Sequence, residues 1–319
     1  MIPGILAGIL WGLDTVILGI ALSMNPFVKT EQAIALAPFV STFLHDFFSA
    51  IWMFLYMAIK KQPKNVLRAF KTKSGKWIVL AAAIGGPIGM TGYVMTINYM
   101  SASIGAIASA IFPAIGSILA YIFLKEKMKW YQWAFLILSI AGVLGLSYTP
   151  GEGITNFWLG LLGTLMCSIG WGVEAVIVAH GMKDPEVTDE FALMIRQTTS
   201  AVIYGAIIIP ILDGWVFTSS LLVDTGVLLP AIAVAAICGT ASYVFYYKAI
   251  TDIGASKAMA LNITYVAWAM VFTVLILHDK SVISPVTIFC AILVIVGSVF
   301  AAADIKEMFK GSDKQARLT

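Results

Sequence analysis

Apolar stretches of about 20 residues follow one another along this chain, each long enough as helix to cross the roughly 30 Å hydrocarbon core of a bilayer. Ten can be drawn, at residues 2–24, 33–60, 76–99, 102–124, 128–148, 155–182, 188–212, 226–250, 254–277 and 283–304. In lipid every backbone N–H and C=O must be paired within its own segment, so each stretch is predicted to be an α-helix. Composition agrees. Only 12% of the 319 residues are charged and the mean hydropathy is +0.92, whereas a soluble domain carries roughly 25% charged residues. Gaps such as Met100-Ser101 and Leu124 to Met128 leave room only for tight hairpins. Gly, Ala and Ser crowd stretches such as 101–116, and small residues let helices approach closely in lipid. The expected fold is an all-α membrane protein of ten transmembrane helices. The first stretch contains Trp11 and Asp14 and lacks a basic leader, so it reads as a retained helix and not a signal peptide.

Lysine and arginine set the orientation. With the N-terminus in the cytoplasm, one side receives Lys60, Lys61, Lys64, Arg68, Lys71, Lys73 and Lys76, then Lys125, Lys127 and Lys129, then Lys183, Lys248 and Lys257, and finally Lys306, Lys310, Lys314 and Arg317. The other side receives only Lys29 and Lys280. Basic residues concentrate in cytoplasmic loops, so both termini are expected inside.

The halves resemble each other. Trp11-Gly12-Leu13-Asp14 has a counterpart in Trp171-Gly172-Val173-Glu174, Ile104-Gly105-Ala106 in Ile253-Gly254-Ala255, and Leu124-Lys125-Glu126-Lys127 in Leu277-His278-Asp279-Lys280. The unit is five helices, over residues 1–150 and 151–319. Five is odd, so the second copy is expected upside down, an arrangement that recurs in transporters with a midplane site.

Several functions are excluded by what the sequence lacks. There is no His-Glu-x-x-His, Gly-x-Ser-x-Gly or phosphate-loop motif, so neither an enzyme nor an ATP-driven pump is expected, and no cofactor. Basic stretches carry no interleaved aromatics, which speaks against nucleic acid as a partner. Cys167, Cys238 and Cys290 all fall inside apolar runs, which argues against disulfides or a metal site.

Ionisable residues within the spans are Asp14, His45, Asp46, Glu174 and Arg196. Each ionised group at mid-membrane costs about 2.5–3.5 kcal/mol on insertion scales, so these should face the bundle interior. Asp46 and Arg196 are expected to form a structural ion pair. Trp171 lies one turn before Glu174, on the same helical face, as Trp11 does before Asp14. Asn262, Tyr265 and Trp268 share another face, and Tyr243, Tyr246 and Tyr247 cluster on the eighth span. Aromatic faces around an uncompensated carboxylate suit an organic cation, quaternary ammonium above all, because it has no donors to satisfy.

The pattern is similar to the drug/metabolite transporter superfamily, in its ten helices as five plus five and in Phe112-Pro113 followed by Leu124-Lys125-Glu126-Lys127. Within it, Gly86-Pro87-Ile88-Gly89-Met90, His45-Asp46-Phe47, Trp171-Gly172-Val173-Glu174, Ile195-Arg196-Gln197 and 261–268 resemble the bacterial Lic-type choline importers. The resemblance implies uptake of choline or a related quaternary ammonium compound through a pocket of Trp11, Trp171, Glu174, Tyr243, Tyr247, Tyr265 and Trp268. Membrane potential or a proton gradient would drive it, with Asp14, His45 and Asp46 as coupling candidates. Asp14 departs from that group's pattern, in which the position is uncharged. The alternatives are export of cationic drugs or amino-acid-like metabolites, and a non-transporting sensor.

Overall fold

The computed structural model describes residues 1–100, 102–147, 154–223 and 226–304, without the side chains of Asn98 and of residues 102–108. Lys306, Lys310, Lys314, Arg317 and Ser101, and the side chains of Ile104-Gly105-Ala106, therefore lie outside it. Every regular element among the described residues is helical. In chain order these are α1 (Ile2–Leu22), α2 (Glu31–Ile59), α3 (Pro63–Lys71), α4 (Lys73–Ala83), α5 (Met90–Tyr99), α6 (Ala102–Leu119), α7 (Trp130–Ser147) and α8 (Phe157–Gly181). There follow α9 (Asp189–Ile203), α10 (Ile209–Ile211), α11 (Trp215–Val223), α12 (Leu228–Ile253), α13 (Ala255–Asn262), α14 (Tyr265–Leu277) and α15 (Pro285–Ala302).

Among the described residues, 9 helical rods are long and apolar enough to span a membrane. They match nine of the ten expected stretches. In the remaining one, α6 and the π turn that continues it supply a shorter apolar segment, Ser109–Leu124.

Three rods drawn as single helices are interrupted. Between α4 and α5 runs a π turn, Ile84–Gly89, built around Pro87; proline has no N–H to donate and its ring crowds the preceding turn. A π turn over Tyr204–Ile208 joins α9 to α10, just before Pro210. Between α13 and α14 the break holds no proline. There the Thr264 hydroxyl donates to the Leu261 carbonyl at 2.7 Å, a local bond that competes with the helical ladder.

Two short helices were not expected, α3 and α11. Pro63 opens α3, and Arg68 and Lys71 occupy its last turn, where cations complement the helix dipole. Thr30 and Thr188 start α2 and α9 alike, their hydroxyls accepting from Ala33 N at 3.1 Å and Phe191 N at 3.3 Å. Among the described residues, the non-glycine residues with positive φ are Lys61 (58°), Lys125 (62°), Asp213 (50°) and His278 (54°). Each lies just beyond the end of a rod, where a left-handed residue stops a helix.

α1 lies along α12 and α7 along α15, while α8 is held between α5 and α6. Glu126 ties α6's end to α13: its two oxygens accept from Ala255 N at 2.9 Å and Ser256 N at 3.0 Å. Where helices meet most closely the contact is made by glycine. A methyl on Gly172 would lie 3.0 Å from Gly116 N.

Candidate substrate site

Inside the bundle α1, α6, α8, α12, α13 and α14 enclose a cavity of about 70 Å³. Trp11, Trp171, Glu174, Tyr243, Tyr247 and Tyr265 line it, all expected from sequence. Trp268 does not; its Cβ instead lies where a methyl on Gly12 would sit 2.7 Å away. Sequence reasoning missed Phe112 as a wall. It meets the Trp171 ring edge-on with centroids 6.0 Å apart, and the available signal was its place one residue before Pro113.

The aromatic rings are fixed by polar anchors and by each other. Trp171 Nε1 donates to the Gly85 carbonyl at 2.9 Å, which is exposed to a side chain because the π turn opens the backbone there. Tyr265 OH pairs with Ser109 Oγ at 3.0 Å. Tyr243 meets Trp11 edge to face at 5.0 Å and Tyr247 at 5.9 Å. The Tyr247 hydroxyl is buried and has no hydrogen-bond partner. Gly85 packs directly on the Glu174 carboxylate, and a Cβ at 85 would overlap it; no larger residue fits beside the acid.

Glu174 is not uncompensated, as the sequence suggested. Arg196 Nε donates to Glu174 Oε1 at 2.9 Å. The two lie 22 residues apart, on α8 and α9, and meet because those helices form a hairpin. The expected contact of Asp46 with Arg196 is also present, with Nη1 3.4 Å from Oδ1. Arg196 Nη1 donates further to Gln197 Oε1 at 2.7 Å, and the guanidinium carbon lies 4.8 Å from the Tyr243 ring centroid. Tyr243 is thus capped by a protein cation on that side.

Beyond Asp46 the chain of charges continues. His45 Nδ1 is 3.6 Å from Asp46 Oδ1, and His45 Nε2 is 3.1 Å from Asp14 Oδ1. Asp14, His45, Asp46, Arg196 and Glu174 therefore join in one buried series, with Glu174 alone of the five lining the cavity. Buried charges persist only when paired and hydrogen-bonded, and here each pairs with the next.

A model of the EamA-like transporter family matches residues 1–148 and 158–303. The chain belongs to that family. Among curated relatives of this EamA-like transporter, "Protein LicB" of Haemophilus influenzae is 30% identical over 236 residues, 74% of this chain and 76% of that protein. An "S-adenosylmethionine uptake transporter" of Rickettsia felis is 22% identical over 292 residues, 87% of this chain and 93% of that one. A solved crystal structure superposes with a TM-score of 0.70 at 15% sequence identity, covering 94% of this chain and 96% of the other; that likeness speaks for the fold alone. The EamA-like transporter is accordingly a multi-pass protein of the bacterial inner membrane, and its family is one of transporters and not of enzymes.

As a binding site the cavity offers aromatic faces and one carboxylate. At roughly 10–15 Å³ per water, about 70 Å³ holds five to seven water-sized groups.

Proposed function

We propose that this EamA-like transporter imports choline or a related quaternary ammonium compound across the inner membrane. The observation that carries the proposal is the aromatic cavity closed on one side by Glu174. A quaternary ammonium loses water cheaply against aromatic faces and needs no acceptor beyond a single negative charge. The relative named for S-adenosylmethionine supports the same chemistry, since sulfonium is also a permanent cation without donors. Membrane potential, a proton gradient or both supply the driving force.

The same proposal includes ten transmembrane helices in two inverted five-helix repeats, over 1–150 and 151–319, with both termini cytoplasmic. Matched local geometry supports it. Lys61 and Asp213 end the second rod of each half in the left-handed region, and Lys125 and His278 end the fourth. Thr30 and Thr188 open the second rods with the same cap, and each is followed by a short helix, α3 or α11. The family model also matches in two segments with nearly these boundaries.

Radiolabelled choline should bind the purified protein, and Trp171→Ala and Tyr265→Ala should each weaken it by about 1–2 kcal/mol, roughly five- to thirty-fold, as one wall of a cation–π cage is lost. Equal affinity in both variants would mean the cavity is not where choline sits. Orientation has its own check. A reporter peptide between Lys61 and Lys73 should be protected in intact cells, and one beside Asp279 should be labelled from outside. The reverse pattern overturns both the lysine argument and the inverted repeat.

A further inference from the structure

We propose that Asp14, His45 and Asp46 form the proton-binding site that couples transport to a proton gradient, outside the substrate cavity, and that Arg196 connects its state to Glu174. The inference rests on the cation-transport reading above and deepens it by assigning the coupling site.

The geometry is that of an imidazole between two acids. Both His45 ring nitrogens face carboxylate oxygens, Nε2 toward Asp14 at 3.1 Å and Nδ1 toward Asp46 at 3.6 Å. A neutral imidazole carries hydrogen on one nitrogen only, and an ionised carboxylate only accepts. With all three groups in those states, one nitrogen lone pair would oppose a carboxylate lone pair. A single added proton, on the second nitrogen or on a carboxylate, makes both contacts favourable. The cluster thus has two proton occupancies with different internal bonding, and a coupling site requires this.

Three further observations set the cluster apart as a built site. The side chains come from α1 and α2, and none lines the cavity. α12 closes over them at Gly239, where a Cβ would lie 2.7 Å from His45 Cε1 and Nε2 and 3.3 Å from Asp14 Oδ2. On the α9 side, Gln197 Nε2 and Tyr204 OH are buried without a hydrogen-bond partner, leaving donors free for a carboxylate that changes its bonding.

Among the described residues, the charged and titratable groups around the His45 ring are few. Asp14 faces it from α1, Asp46 from α2 itself, and Arg196 from α9 through Asp46, with Tyr204 after α9 beside Asp46. Cys238 of α12 lies beside Asp14, and the basic residues of α3 sit at the far end of α2. Among the described residues Arg196 is the cation held by both the cavity acid and the cluster acid, through Nε on Glu174 and Nη1 on Asp46. When a substrate cation engages Glu174, the guanidinium's share in Asp46 grows, and the field at His45 changes with it. The proton that binds the cluster on one side of the membrane leaves the same atoms on the other. No covalent bond beyond N–H or O–H is made or broken.

The test uses the full chain in liposomes, with the potential clamped at zero and radiolabelled choline as the probe. Two readings are taken, choline–choline exchange at uniform pH and accumulation driven by an imposed pH difference. The parent should show both, the sign of the effective gradient distinguishing cotransport from exchange. Asp14→Asn and His45→Gln should retain exchange, while accumulation falls to the level found without a gradient. Gly239→Ala keeps every titrating group but displaces the His45 ring and crowds Asp14; it should lose accumulation in the same way. The proposal is overturned if these variants accumulate choline like the parent, if all three lose exchange together with accumulation, or if the parent exchanges choline and ignores the pH difference. A parent that does not exchange choline at all refutes the cation-transport reading instead.

Discussion

Choline affinity falls about a hundredfold in Glu174→Gln, the largest loss expected from any single cavity substitution. Two unit charges about 4 Å apart interact by roughly 4 kcal/mol at the effective dielectric of a protein site. Arg196 already claims one carboxylate oxygen at 2.9 Å, so the part left for a substrate is smaller, about 2–3 kcal/mol on that scale. Gln preserves the shape beside Gly85 and removes the charge. Titration calorimetry at fixed salt reads the change directly. Affinity in Glu174→Gln equal to the parent's would show that the acid serves only to hold Arg196.

The second large effect is on stability. Arg196→Met should destabilise the protein by about 3–5 kcal/mol, the usual result of stripping one partner from a buried ion pair. Glu174 and Asp46 are both left without their cation, and Tyr243 loses the guanidinium above its ring. The thermal midpoint in detergent should fall clearly. A second substitution, Glu174→Gln in the Arg196→Met background, removes one of the two unpaired acids and should recover part of the loss. Recovery separates an electrostatic cause from a packing cause, which the double variant would not repair. A midpoint unchanged in Arg196→Met means the buried series contributes nothing to stability.

Element existence was easy to read from this sequence because lipid imposes one solution on a long apolar run. The interruptions were less legible. Pro87 offered a signal for the π turn after α4 that the single span drawn over 76–99 did not use, while the break at Ile263-Thr264 depends on which carbonyl a threonine hydroxyl chooses, and propensity does not fix that choice. α3 and α11 escaped notice because each is only 9 residues long. Of the site, the residues that share one helical face were legible: Trp171 with Glu174, and the three tyrosines of α12. Pairing across helices was legible only in part. Asp46 and Arg196 occupy similar depths in the second and seventh rods and could be matched. Glu174 with Arg196, and Asp14 with His45, required knowing how the rods are rotated. Trp268 shows the limit of spacing arguments. It stands three residues after Tyr265 in α14, yet the helix turns it toward Gly12 of α1 and not into the cavity.

Glu126 has a mechanical consequence. One carboxylate grips two successive N–H groups at the start of α13, and a two-point grip resists both sliding and twisting. α6 and α13 are thereby riveted at that end and travel as one body. A displacement that admits substrate then has to be absorbed further along, and the Ile263-Thr264 break is the compliant joint nearest to hand. Its position next to Asn262 and Tyr265, which both line the cavity, places the joint at the wall that must move.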